Sequence, residues 1–253
     1  MDVNNEYGLL EKQQKLLDLL KAFHEFCIKN DIRYSLDWGS LLGAVRHKGF
    51  IPWDDDLDIM VDRENYYKII NSIKEDKELF FDHTSPETVW VGRIHIRGNE
   101  SIGNWQPTID IFIMDNAPEG QIARKTRLLE VLCLQGMLKV SPNFGKGNLF
   151  MRSCTLLTYC LGKLFTRNFK LSLYDRIARI SNTKDTAQKT CYFEEYRCLG
   201  KYYSSDILEE VVTVLFENVE AYVVKDYHSC LCEQFGENYM TPPPVSERAP
   251  RHS

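Results

Sequence analysis

The sequence predicts an α+β (mixed α/β) fold: a mixed β-sheet flanked by helices, with an added helical region. Three patterns carry that expectation. Apolar residues recur at helical spacing up to Lys29, then alternate with period two in short runs between 54 and 114. The resulting order, helix–strand–helix–strand–helix and then further strands, is that of a layered mixed core. A Leu-rich basic stretch from 121 to 170 interrupts this order and reads as helical.

Each element follows from local pattern. Leu9, Leu16, Leu20, Phe23 and Cys27 form one stripe at three-to-four spacing, which predicts a helix over 8–29. Asn30 and Asp31 end it, and 32–36 is a short predicted strand. Gly39 opens a second helix to about Arg46, where His47-Lys48-Gly49 breaks it. The next four residues run extended, because a residue before proline avoids helical angles. From 54 to 62, Asp54, Asp56 and Asp58 take one face of a predicted strand, and Leu57, Ile59 and Val61 the other. A polar helix over 63–74 follows, then strands at 79–81, 89–96 and 108–114. The helical stretch 121–170 breaks at Ser141-Pro142-Asn143. Strands at 211–216 and 220–224 and a helix over 225–235 precede Pro242-Pro243-Pro244. The expected organisation is a core over 1–118, a basic helical region over 119–205, and a closing segment over 206–253 packed on the core.

Composition excludes several classes. Of 253 residues, 31 are basic and 36 acidic, a formal charge of −5, so no nucleic-acid partner is expected. Residues Met1 to Gln14 include Asp2, Glu6 and Glu11 and lack the apolar run of a signal peptide. The longest charge-free run, Ser153 to Gly162, is well short of the ~20 residues a membrane-spanning helix requires. Eight cysteines contain no C-x-x-C pair, so zinc-ribbon and thioredoxin-like readings fail. A reduced, cytoplasmic protein is the expectation.

The chemistry concentrates in GSLLGAVRHKGFIPWDDDLDI, residues 39–59. Four aspartates in five positions repel one another and invite a compensating cation. Alternating carboxylates on one strand face are close enough to share divalent ions, and hard oxygen donors suit Mg²⁺ or Mn²⁺. A calcium EF-hand beginning at Asp54 would need Gly at its sixth position and Glu at its twelfth, where Ile59 and Asn65 stand. A solvated acidic turn is the plain alternative. Gly39 and Ser40 supply the other half. A glycine at a strand-to-helix junction lets the backbone approach a phosphate, and the helix N-terminus offers N–H groups and positive dipole. With Arg46 or Lys48 nearby, this points to phosphoryl transfer assisted by two metals about 4 Å apart.

Residues 39–47 and 50–58, with Asp110-Ile111-Phe112, residues 235–240 and Arg248, resemble the LicD family of the nucleotidyltransferase superfamily, to which DNA polymerase beta also belongs. The resemblance brackets the chain and is thin over 121–200. It implies a polymerase-beta-like nucleotidyltransferase core in which Asp56, Asp58 and Asp110 hold Mg²⁺ or Mn²⁺. Asp54 matches a further acidic position of the motif. The implied activity moves phosphocholine, or another phospho-alcohol, from CDP-choline or another CDP-alcohol to a hydroxyl of a cell-surface glycan, releasing CMP. The acceptor would be a glycan or lipid-linked glycan, as in lipopolysaccharide or teichoic acid decoration. Asp110 could also take the hydroxyl proton. The alternative within the same fold is an NTP-dependent nucleotidyltransferase that adds a nucleotide to a small molecule or RNA and releases pyrophosphate.

Other residues carry open alternatives. Arg93 and Arg97 share a strand face and are either donor-phosphate contacts or surface arginines. His47 is either a donor contact or the end of a helix, and Arg248 matches the family's closing motif and could cover the site. A choline head group would want an aromatic cage, for which Trp38, Trp53, Trp90, Trp105 and Tyr34 are candidates beside ordinary core roles. His228, Cys230 and Cys232 read as packing rather than metal ligands. Residues 121–170 hold nine Lys or Arg and one acid, Glu130. They are either a peripheral contact with the inner face of a membrane or a helical subdomain with buried leucines and a solvated basic face.

Overall fold

The computed structural model describes residues 7–83, 88–98, 101–102, 105–142, 144 and 148–250. The fold is α+β, with seven α-helices and nine strands among those residues. It divides into two compact units. The first comprises Met1–Asp82, Arg93–Ile113 and Asp206–Ser253, and the second His83–Gly92 and Met114–Ser205.

In the first unit, α1 (Leu10–Lys29) buries Leu16, Leu19, Leu20, Phe23 and Cys27. It ends where Asn30 donates its side-chain amide to the Phe26 carbonyl at 2.8 Å and Asp31 turns into left-handed backbone. The strand expected over 32–36 contracts to β1 (Ser35–Leu36), which pairs antiparallel with Met60 and Ile59. The preceding amides are used elsewhere: Ile32 N–H donates to the Cys27 carbonyl and Arg33 N–H to Asn65 Oδ1. Next come α2 (Trp38–Arg46), β2 (Leu57–Asp62) and α3 (Arg63–Ser72). The strand expected from 54 begins only at Leu57, because Asp54 N–H closes a turn onto the Ile51 carbonyl at 2.9 Å. Asp54 and Asp56 therefore lie on the segment leading into β2, and Asp58 on the strand itself.

β3 (Leu79–Asp82), β4 (Gly92–Ile96) and β5 (Ile109–Asn116) complete a sheet ordered β1-β2-β5-β4-β3. β4 starts three residues later than its apolar run, since Val91 N–H turns back to the Thr88 carbonyl at 2.9 Å. This order puts Asp58 of β2 and Asp110 of β5 on neighbouring strands. β8 (Val211–Phe216) and β9 (Val219–Val224) form an antiparallel hairpin. Val224 N–H donates to the buried Ser35 hydroxyl at 2.8 Å, and Phe216 packs edge-on against Phe50 at 4.8 Å. α7 (Tyr227–Phe235) closes the unit.

The second unit holds α4 (Gln121–Leu138), α5 (Leu149–Gly162) and α6 (Arg167–Ala178), followed by β6 (Gln188–Cys191) and β7 (Tyr203–Ser204). Asn148 and Thr166 cap the second and third helices through side-chain oxygens. The two strands have no counterpart in the sequence pattern. β6 pairs with Met114–Asn116 at the end of β5, which fixes it by tertiary contact rather than by its own polar residues. Val131, Leu134, Leu138, Tyr174, Tyr192 and Phe193 are the buried core here. Gln135 donates to the Tyr174 hydroxyl at 3.0 Å and to the Glu194 carbonyl at 2.7 Å. Of the expected features, Asn143 at the helix break and Lys146 in the basic stretch lie outside the described residues.

Candidate active site

The site is built around the head of α2. Asp37 caps this helix by accepting the Trp38 N–H at 2.9 Å. Trp38 itself has φ 43, a costly left-handed angle for a bulky residue. Phe235 braces it, edge-on at 5.6 Å. β2 is pinned to this helix head at Asp58, whose N–H donates to Ser40 Oγ at 2.9 Å and whose carbonyl accepts the Asp37 N–H at 2.9 Å. The Ser40 hydroxyl thus holds the backbone of the strand that carries the Asp58 carboxylate. Gly39 has a similar explanation: a Cβ there would lie 2.4 Å from Asp54 Oδ2, so only glycine lets that carboxylate rest on the helix N-terminus.

The four motif aspartates separate by role. Asp55 is buried and paired with Lys12 at 3.0 Å, and its carbonyl accepts the Trp105 indole N–H at 3.2 Å. It belongs to the scaffold. Asp58 is buried, and desolvation first, then Asp56, Asp110, Asp37 and Asp54, push its carboxyl well above the ordinary range. Those five acids therefore converge electrostatically at one place. Burial also raises Asp37, to about 6, despite the hydrogen bonds from Gln234 and Trp38. Asp37 is the acid that sequence reasoning missed. Its signal was available as a helix cap directly before Trp38-Gly39.

Arg93 is part-buried rather than a surface arginine, and its Nε and Nη2 grip Asp110 at 2.6 and 3.0 Å. Burial lowers its pKa, but the bond to Asp110, with Asp82 and Asp58 nearby, more than offsets this. Arg97 is exposed beyond the end of β4, with its guanidinium 5.2 Å from the Phe80 ring centre.

A second, cationic group gathers at the other end of α2. Arg46 donates to His47 Nε2 at 2.9 Å and to the Tyr239 carbonyl at 2.9 Å. Burial and Arg248 lower the Arg46 pKa. Burial, Arg46 and Arg248 lower that of His47, which favours its neutral ring. His47 both ends α2 and packs edge-on to Trp53 at 6.3 Å. The Arg248 guanidinium lies 5.0 Å from the Trp53 ring centre. Lys48 stands apart, exposed and with φ 64, where it lines a cavity of about 410 Å³ with Glu217 and Tyr227.

The aromatic candidates sort as clearly. Tyr34 is fully buried and bonded to His24 at 2.9 Å. Trp90 is core of the second unit, stacked on Tyr174. Trp38 packs on Phe235, Trp105 ties down Asp55 and carries the Lys12 ammonium 5.3 Å from its ring centre, and Trp53 carries Arg248. His228 bonds the Tyr239 hydroxyl at 3.0 Å, and its Nε2 lies 3.7 Å from Cys232 Sγ.

Among the described residues no three His, Cys, Asp or Glu side chains are arranged to hold a metal ion. The donor chemistry nevertheless fits one. The acids around Asp58 are hard oxygen donors, and their mutual repulsion at a buried carboxyl is the field a divalent cation relieves. Arg93 supplies that compensation on the Asp110 side.

Carboxylates from two neighbouring strands, gathered at a helix N-terminus, form a candidate site of the phosphoryl-transfer type. Residues 31–129 match the family model described as LicD/FKTN/FKRP, nucleotidyltransferase domain. The chain is 26% identical to the lipopolysaccharide cholinephosphotransferase LicD of Haemophilus influenzae, over 96% of both chains. It is also 43% identical to an uncharacterized protein of Rickettsia typhi, over 29% of this chain and 24% of that one. A second uncharacterized protein, from Rickettsia prowazekii, is 51% identical over 22% of this chain and 21% of its own. The chain is thus similar to the LicD family model over residues 31–129 and to one LicD cholinephosphotransferase over nearly its whole length. No helix among the described residues is long and apolar enough to cross a membrane.

Proposed function

We propose that this protein is an enzyme that transfers phosphocholine, or a related phospho-alcohol, from a CDP-activated donor to a glycan hydroxyl, releasing CMP. The observation that carries this reading is Asp58, buried and faced by Asp56, Asp54 and Asp110 at the head of α2. It agrees with the end-to-end similarity to a cholinephosphotransferase. Asp56 and Asp58 would hold a pair of Mg²⁺ or Mn²⁺ ions, with Asp110 joining them once released from Arg93. The ions supply Lewis acidity, lowering the pKa of the acceptor hydroxyl and offsetting charge on the leaving group.

The chain's own groups do the rest. Ser40 fixes the Asp58 backbone, and Gly39 keeps the helix head open enough to seat Asp54. Arg46 and Arg248 present positive charge for the donor diphosphate, with neutral His47 between Arg46 and Trp53. Arg93, freed from Asp110, becomes a further phosphate ligand. In the transfer, the bond from acceptor oxygen to phosphorus forms as the bond from phosphorus to the CMP oxygen breaks. The hydroxyl proton passes to Asp110 or to solvent.

The test is product analysis with a panel of CDP-choline, CDP-ethanolamine, CDP-ribitol and CDP-glycerol, and separately with CTP. Metal-dependent release of CMP from one of the CDP-alcohols, lost in EDTA, is expected. Pyrophosphate from CTP with no CMP from any donor would replace this reading with NTP-dependent nucleotidyl transfer.

A further inference from the structure

We propose that the second unit docks on an anionic lipid surface through the outward face of α5 and the turn into α6. Sequence pattern alone favours burial for Leu-rich helices, and the structure shows the reverse. Of the fourteen residues of α5, only Gly162 is buried. Leu149 is 80% exposed, Phe150 76% and Leu157 62%, and the apolar surface continues with Leu164 at 75%.

The packing of α5 on α4 explains how this is possible. The contact is made by small residues: a Cβ on Gly136 would lie 2.3 Å from Thr158 Oγ1, and one on Gly162 2.2 Å from the Met137 carbonyl oxygen. The two helices approach closely over these positions and leave the large apolar side chains outside. Helices in water bury leucine and expose threonine, whereas small residues inside and leucine outside suit a hydrocarbon surrounding. α5 is thus inverted with respect to water.

Charge selects the occupant. Residues 121–170 carry nine basic groups and one acid, and that acid, Glu130, is paired with Arg127 at 3.2 Å. Arg152 and Lys163 are exposed on or beside α5, with the Lys163 ammonium 4.6 Å from the Tyr159 ring centre. Leu, Phe and Met interleaved with cations match the headgroup zone of an anionic bilayer. Since no described helix can span a bilayer, the contact is interfacial.

This inference is independent of the proposed reaction, and its test needs no turnover. The full chain is sedimented with phosphatidylcholine vesicles, with and without an equal amount of phosphatidylglycerol. Binding to the anionic vesicles and its weakening in high salt are expected. Phe150→Glu with Leu157→Glu should reduce it on the order of a hundredfold with the circular dichroism spectrum unchanged. Should that variant fail to fold, Arg152→Gln with Lys163→Gln decides, with several-fold weaker binding expected. Asp58→Asn should bind vesicles as the unmodified protein does. Three results overturn the proposal: no binding to anionic vesicles, binding untouched by either pair of substitutions, or a dimer in solution that Phe150→Glu with Leu157→Glu splits. The last would make the face a protein interface.

Discussion

Replacing Asp37 by Asn isolates the electrostatic cost of the acidic site. The Asp37 carboxyl caps α2 and accepts Gln234 Nε2 at 2.6 Å, yet burial raises its pKa from 3.8 to about 6. The folded state therefore binds this proton more tightly than the unfolded chain. Below pH 3.8 both states are protonated and the group contributes nothing to pH dependence. As pH rises through about 6 the folded state must ionise a buried carboxyl, and about 3 kcal/mol of stability is lost. Asn keeps an oxygen for the Trp38 N–H and is an equally good helix cap. Urea unfolding in EDTA, across a pH series, should show no gain for Asp37→Asn in acid and a gain approaching about 3 kcal/mol at neutral pH. A gain that does not grow with pH, or a loss at neutral pH, would refute the argument.

Other outcomes follow from the same geometry. Asp58→Asn should raise stability at neutral pH, because its folded-state pKa is raised and stability is lost as pH climbs through it. The same change should lower CMP release on the order of a hundredfold or more, comparable to removing a preorganised electrostatic group. Arg93→Ala should cost roughly 1–3 kcal/mol in urea unfolding by leaving Asp110 uncompensated beside Asp58. Arg93→Lys should recover only part of this, since an ammonium cannot make the bidentate pair. Gly39→Ala should displace the Asp54 carboxylate, lowering turnover at least about tenfold while unfolding stays within about 1 kcal/mol. Equal turnover would show that Asp54 is not needed where it lies.

The chain's local chemistry was legible. The long amphipathic helix, the acidic segment, Asp110 on its own strand and the glycine before Ser40 are set by neighbours within a few residues. Their spacing was enough to indicate both the α+β class and the family resemblance. The sorting of the aspartates was not legible, because Lys12 and Trp105, which bind Asp55, come from distant segments. The buried character of Asp37 depends in part on Gln234, 197 positions away. The Arg93–Asp110 grip needs two neighbouring strands whose order no local pattern encodes. Likewise β6 exists through its pairing with the end of β5. For α5, hydrophobic content was readable, but which side faces outward depended on the close approach of Gly136 and Gly162 to a second helix. Sequence alone determined which residue types were present and their local periodicity, since these are short-range properties of the chain. Tertiary structure decided which charges meet and which apolar groups stay outside, because burial and Coulomb energy depend on distances that only the folded chain creates.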